Sequence, residues 1–192
     1  GWDQVLPYFK RSEDYSGTAA QADVYHGVAG PLHVSTVKPT AICDMYLKAC
    51  VDQGIATVDD LNRGNQKGAA YFDVTVKKGR RHSTAGAFLR PIRSRNNLTI
   101  MKHSLVNRVL FEGKAAVGVE VVCKGKASNI LARREVIVSA GAINSPQLLQ
   151  LSGIGNKALL DRHGITAVVD LPGVGENLQD HLGAVVANHI RA

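Results

Sequence analysis

Val136-Ile137-Val138-Ser139-Ala140-Gly141-Ala142-Ile143-Asn144-Ser145-Pro146-Gln147-Leu148-Leu149-Gln150-Leu151-Ser152-Gly153-Ile154-Gly155 is the stretch on which the fold class turns. Its opening is continuously apolar, the pattern of a strand covered on both faces in a parallel sheet. That strand is expected to run from Ile130 to Val138. It ends in consecutive small residues, Ser139 to Ala142, which let backbone approach a ligand closely at the carboxyl end of a buried strand. A helix is then expected, with Ser145 as its cap and Pro146 in its first position. Leu148, Leu149 and Leu151 give the helix an apolar body, and Gly153-Ile154-Gly155 ends it.

Upstream, three strands are expected in close succession. Leu98 to Lys102 is read as running into Leu105 to Phe111, with a turn at Glu112-Gly113-Lys114. Ala116 to Cys123 places Val117, Val119 and Val121 on one face, and Lys124-Gly125-Lys126 turns the chain into the buried strand. This is an antiparallel meander feeding a buried strand. Downstream, Gly153-x-Gly155-x-x-Ala158 fits a dinucleotide pattern, but a helix precedes it where the motif needs a strand. It reads as one helix stopping and another, Lys157 to Arg162, starting before Gly164. Ala167 to Leu171 is a strand, Pro172-Gly173-Val174-Gly175 a turn, and Val185 to Ile190 a final strand.

The first half of the chain is less regular. Asp3 is expected to cap a helix carrying Val5, Leu6 and Phe9, with Pro7 tolerated in its first turns. Ser16 to Gly30 is rich in Gly, Ala, Ser and Thr and reads as a loop before a short strand, Leu32 to Ser35. Ala41 to Gln53 is an amphipathic helix stopped by Gly54. Cys43, Tyr46, Leu47 and Cys50 form its core-facing side, and Asp44 and Lys48 are an i,i+4 pair opposite. Tyr71 to Val76 is a strand, and His82 to Leu89 a short helix ended by Pro91.

Composition bounds the function classes. The chain has 192 residues, 45% hydrophobic and 20% charged, which excludes a disordered tail or a long coiled coil. No apolar run approaches the ~20 residues needed to span a bilayer, and no signal-peptide pattern opens the chain. The net charge of +7 is concentrated. Between Asp73 and Glu112 there is no acidic residue but there are Lys77, Lys78, Arg80, Arg81, Arg90, Arg93, Arg95, Lys102 and Arg108. Such a block is read as a solvated face. The alternative is a non-enzymatic polyanion or nucleic-acid module on residues 77–108, but with Phe88 and Phe111 as the only aromatics between Asp73 and Glu112 it has no stacking platform. Cys43, Cys50 and Cys123 are odd in number and unpaired in spacing, which argues for a reducing compartment. The histidines are scattered, no zinc spacing occurs, and spacing alone assembles no catalytic set.

Ser139 to Gly155 resembles the second signature of the glucose-methanol-choline (GMC) flavoprotein oxidoreductases. Leu171-Pro-Gly-Val-Gly-Glu-Asn-Leu-Gln-Asp-His181 resembles the same family at the expected distance. So do Gly1-Trp-Asp-Gln-Val-Leu-Pro-Tyr-Phe-Lys10, Gly30-Pro-Leu32, Gly79-Arg-Arg81 with Ser83-Thr84, and Asn97-Leu-Thr-Ile100, in order along the chain. The resemblance implies a mixed α/β architecture: part of an FAD-binding domain with β-meander and mixed sheet, plus part of a substrate domain. The implied division is 1–96 for the substrate or cap region, 97–182 for the FAD-binding part, and 183–192 for the start of a substrate-domain strand.

The resemblance further implies an FAD-dependent enzyme that passes hydride from an alcohol, choline or another primary alcohol, to flavin, with oxygen or a quinone as electron acceptor. Val106 matches a position whose backbone touches the adenine of FAD. Ala140 and Gly141 match the small segment near the adenosine end of the cofactor. The family's pyrophosphate-binding G-x-G-x-x-G lies before the region matching Gly1, and its active-site histidine and His/Asn partner lie after the region matching Ala192. An internal piece is therefore expected, with no catalytic and no metal-binding residue of its own, inactive alone and open to self-association. No nucleic-acid partner is implied. A cytoplasmic setting is expected, with the parent at most peripheral to the inner membrane.

Overall fold

The computed structural model describes residues 1–17 and 24–185. The chain divides into two compact units, Gly1–Thr99 and Ile100–Ala192. In the first, helix α1 (Trp2–Ser12) runs directly into strand β1 (Glu13–Tyr15). Asp3 is not the cap. The helix starts at Trp2, Gly1 is its N-cap, and the Gln4 N–H donates to the Gly1 carbonyl at 3.1 Å. Strand β2 (Leu32–Thr36) lies parallel to β1, with Asp14 opposite His33, and its far end pairs antiparallel with β3 (Asp73–Val74).

Helix α2 (Ala41–Asp52) begins at Thr40, whose hydroxyl accepts from the Cys43 N–H at 3.4 Å. Gly54, at φ +79°, stops it. The expected core face is corrected: Cys43 and Tyr46 are exposed, while Leu47 and Cys50 are half-buried. The expected Asp44–Lys48 pair is also corrected. Lys48 pairs with Asp52 at 3.2 Å, and Asp44 accepts from the Tyr71 hydroxyl at 2.7 Å. A Glu/Asp C-terminal to Lys and one N-terminal to it are both in reach on a helix, and here a tertiary donor takes the first carboxylate.

Beyond β3 the chain forms a small hairpin, β4 (Val76–Lys77) and β5 (Arg80–Arg81). Its turn residues Lys78 and Gly79 have φ of +51° and +73°, as a tight two-residue hairpin turn with matching twist requires. A π-helical turn, Ala85–Leu89, then passes into a 3-10 turn, Arg90–Ile92. Pro91 therefore lies inside the last turn rather than beyond it.

The second unit is built on a meander. Strands β6 (Ser104–Glu112), β7 (Ala115–Cys123) and β8 (Lys126–Leu131) form one antiparallel sheet in that order. Gly113 (φ +60°) and the Lys124-Gly125 pair (φ +50° and +78°) make the two turns. Helix α3 (Gly141–Leu151) packs on β6. A compact β-α-β element follows. Strand β9 (Ile154–Gly155) lies parallel to β10 (Val169–Asp170), with α4 (Lys157–Arg162) between them. Leu160 of α4 is fully buried, and the Asn156 side chain caps α4 by accepting from the Leu159 N–H at 3.1 Å. Gly153 thus ends α3, but Ile154 and Gly155 form a short strand, and α4 starts only after its cap Asn156.

Three expectations in this unit are corrected. Residues 98–102 form no strand, and β6 begins at Ser104. Strand β8 stops at Leu131, because the charged run Arg133-Arg134-Glu135 bends the chain away. Residues 136–138 carry no regular structure and pair with no strand among the described residues, and Ile137 is 77% exposed. A parallel strand exists through its neighbours, so the apolar run alone does not define one. Finally, α3 begins at Gly141, and Ser145 acts from within the helix, its hydroxyl accepting from the Ala140 N–H at 3.0 Å. The expected strand Val185 to Ile190 lies outside the described residues apart from Val185, and the loop Ser16 to Gly30 is described only in part.

Candidate cofactor cleft

Ser152 fixes the geometry of the second unit's cleft. Its buried hydroxyl accepts from the Val109 N–H of β6 at 2.8 Å and donates to the Leu148 carbonyl at 2.5 Å. One side chain thereby joins the end of α3 to the middle of β6. Beside this junction lies a cleft of about 790 Å³ lined by the start of β6, by residues 136–140 and by one side of α3. That size suits part of a large cofactor or a whole small ligand.

Val106 and Ala140, far apart in sequence, line this one cleft. Gly141 is the next residue and opens α3 with φ +89°, a conformation that favours glycine. A Cβ added at Gly141 would meet nothing within 4 Å, so the glycine answers to backbone conformation and not to crowding. Val106 is half-buried, while Ala140 and Gly141 are exposed.

The strand under the cleft carries a device the sequence did not announce. Val106 faces Val121 and Arg108 faces Glu120, so the register shifts and Asn107 is the extra residue of a bulge. Asn107 Nδ2 donates to Glu120 Oε1 at 3.1 Å, and Arg108 donates to Glu120 Oε2 at 2.9 Å through Nη2. The Asn107 and Arg108 donors hold the Glu120 carboxyl below its ordinary value of 4.5. The only trace of this in the sequence is a polar Asn107 interrupting an apolar strand. Asn144 and Gln147 on α3 also line the cleft and escaped the sequence reading.

The walls are apolar, through Val106, Val136, Val138 and Leu148, and the polar groups of Ser139, Asn144 and Gln147 sit among them. Among the described residues no group of His, Cys, Asp and Glu suits a metal ion. All three cysteines are free. No helix among the described residues is long and apolar enough to cross a membrane. Two of the scattered histidines lie at the β1–β2 pair: His33 Nδ1 is 2.9 Å from Asp14 Oδ2, and its N–H backbone donates to His82 Nδ1 at 3.1 Å.

A family model described as GMC oxidoreductase matches residues 1–183. The chain belongs to the GMC oxidoreductase family. The mitochondrial choline dehydrogenase of Mus musculus is 46% identical over 189 residues, which is 97% of this chain and 31% of that protein. The oxygen-dependent choline dehydrogenase of Paraburkholderia phytofirmans is 49% identical over 180 residues, 92% of this chain and 32% of that protein. The chain thus spans about a third of the length of these relatives. The same holds for solved structures. Pyridoxine 4-oxidase from Mesorbium loti superposes with a TM-score of 0.86 at 34% identity, covering 94% of this chain and 35% of that one. An FAD-dependent oxidoreductase from Chaetomium thermophilum gives 0.85 at 31% identity, covering 93% and 33%. The mixed α/β architecture is that of these solved structures, and nothing in the comparisons supports the nucleic-acid alternative.

Proposed function

We propose that this chain is the part of an FAD-dependent alcohol oxidoreductase that holds the adenosine end of the flavin, together with part of its substrate side. The single observation that carries the reading is the meeting of Val106 and Ala140 on one apolar cleft, within a chain of GMC family. In this reading the Val106 backbone, beside the Asn107 bulge, contacts the adenine edge. Ala140 and Gly141 admit the ribose closely because they carry little or no side chain. Asn144 and Gln147 offer donors and acceptors to the polar edge. FAD held there would supply the hydride acceptor for oxidation of the alcohol. The residues of this chain bind and orient one end of the cofactor and exclude water from it.

The substrate is proposed to be choline or another primary alcohol, since the curated relatives are named choline dehydrogenases. Oxygen or a quinone takes the electrons. We place the protein in a reducing compartment such as the cytoplasm, in keeping with three free cysteines. The large exposed apolar side chains, among them Trp2, Tyr8, Phe9, Ile137 and Ile143, are surfaces for the remainder of the longer protein to cover.

The test compares two proteins. The longer protein containing this chain is expected to purify with flavin absorbance that choline or a primary alcohol bleaches without oxygen. The 192-residue chain, incubated with FAD and desalted, is expected to retain none. A longer protein without flavin, or with flavin that no alcohol reduces, contradicts the function. Tight stoichiometric FAD on the chain alone contradicts the proposed division of the site.

A further inference from the structure

The first unit holds a buried ionisable cluster that plays no part in the flavin reading. His26 is only 6% exposed. Its Nδ1 lies 3.1 Å from Glu13 Oε2, and its Nε2 lies 2.6 Å from Asp60 Oδ2. A neutral imidazole has one N–H. It satisfies one of these carboxylates and turns a lone pair toward the other, whereas an imidazolium donates to both. The Tyr15 ring stacks on the imidazole at 3.8 Å between centroids and 16° between planes.

Three segments distant in sequence meet at this ring. Strand β1 contributes Glu13 and Tyr15. The segment around His26 is clamped to β1 by the Gly27 N–H, which donates to Glu13 Oε2 at 2.9 Å, and by the Tyr15 N–H, which donates to the Gly27 carbonyl at 2.9 Å. A Cβ at Gly27 would collide with the Lys10 carbonyl, so the clamp closes only on glycine. The loop at 57–63 contributes Asp60, whose Oδ1 accepts from the Asn62 N–H at 2.7 Å. Among the described residues Arg63 also faces the cluster, 3.7 Å from Asp60 Oδ2. On the far side Tyr15 meets the Asp73 carboxylate at 3.4 Å.

The loop so anchored is also a wall. Val58, Asp59 and Arg63 line a cleft of about 510 Å³ opposite Thr36, Leu47 and Tyr71. We propose that Glu13–His26–Asp60 is a proton-operated latch: one proton on His26 ties β1, the His26 segment and loop 57–63 together, and its loss frees the loop and opens this cleft. Release follows from the geometry, because a deprotonated ring sets a lone pair against one buried carboxylate. Burial alone lowers the affinity of His26 for its proton, but the bonds to Asp60 and Glu13 outweigh it, and the net effect lies above the ordinary 6.5. With the folded value raised, the stabilisation is complete below pH 6.5 and is lost as pH climbs through the raised value. Across that window a single proton changes the unfolding equilibrium by up to about tenfold per pH unit.

The test is a ring-nitrogen NMR titration of His26 in the 192-residue chain, with amide-exchange protection factors for residues 57–63 measured at each pH. The second ring proton is expected to persist above pH 6.5, and protection of the loop is expected to fall in step with its loss. A ring that is already a single neutral tautomer at pH 6.5 overturns the proposal, as does protection that stays level through the titration. Asp60→Asn supplies the second arm, since it keeps the shape but removes one carboxylate. It should lower the His26 value and flatten the loop's pH response, and an unchanged response overturns the latch. If Asp60→Asn fails to fold, the wild-type titration decides alone.

Discussion

Ser152→Ala removes the bond on which the cleft's geometry rests. The Ser152 hydroxyl is the acceptor for the Val109 N–H at 2.8 Å, and both residues are buried, at 7% and 5% exposure. Alanine leaves that strand N–H with no acceptor in a site closed to water. The cost of an orphaned buried donor is about 1–3 kcal/mol, so we expect a loss of about 2 kcal/mol. For a unit of this size that lowers the melting temperature by about 8–16 °C. The assay is urea unfolding of the chain, followed by far-UV circular dichroism. The midpoint should fall while the slope with denaturant stays constant, since the same surface is exposed on unfolding. Ser104→Ala is the control, because among the described residues that hydroxyl is bonded only to the nearby Lys102 carbonyl, and it should change stability by less than about 0.5 kcal/mol. A Ser152→Ala variant as stable as this control would refute the claim that one hydroxyl joins α3 to β6.

Two glycines should respond differently to alanine. Gly141 has open space and a φ of +89°, so Gly141→Ala should cost about 1–2 kcal/mol from backbone conformation alone. Gly153 has a similar φ, but its Cβ would press on the Thr166 carbonyl and Val168, so Gly153→Ala should cost more than Gly141→Ala in the same urea assay. In acid, Glu120 is held below its ordinary value by Asn107 and Arg108, and Asp14 below its own by the His33 bond and its neighbours. Depressed carboxyl values stabilise the fold above the ordinary values of 4.5 and 3.8 and lose that contribution as pH falls through the lowered ones. Thermal melts below pH 4.5 should therefore show stability falling with pH, and Glu120→Gln should make the fall shallower. Arg108→Ala, at an exposed pair with Glu120, should leave the urea midpoint at neutral pH nearly unchanged.

Local chemistry made much of the second unit legible. Gly113, Lys124-Gly125 and Gly153 mark turns that the chain takes, and α4 occupies Lys157–Arg162 with its stop at Gly164 as expected. These features depend on residues a few positions apart. Features that depend on distant partners were not legible. The run Val136–Val138 has the composition of a buried strand, yet no described strand lies beside it. Cys43 sits on the apolar side of α2 by periodicity but faces solvent, because which face is covered depends on what packs there. At the candidate cleft, Val106, Ala140 and Gly141 came from family resemblance, not from periodicity. Asn107 was missed because a bulge is a mismatch between two strands and is invisible in one. His26 was one histidine among several in the sequence, since its two carboxylates come from β1 and from the loop near Asp60.

The account stands on the cleft as the seat of the flavin's adenosine end, and the flavin content of an Ala140→Phe variant of the longer protein tests it most directly. Ala140 is exposed on the cleft wall at φ −88°, where phenylalanine is tolerated without strain and its ring projects into the roughly 790 Å³ space. The account predicts a folded protein that purifies without the absorbance of bound FAD beside a wild type that carries it. An Ala140→Phe protein that retains its full complement of flavin would contradict it.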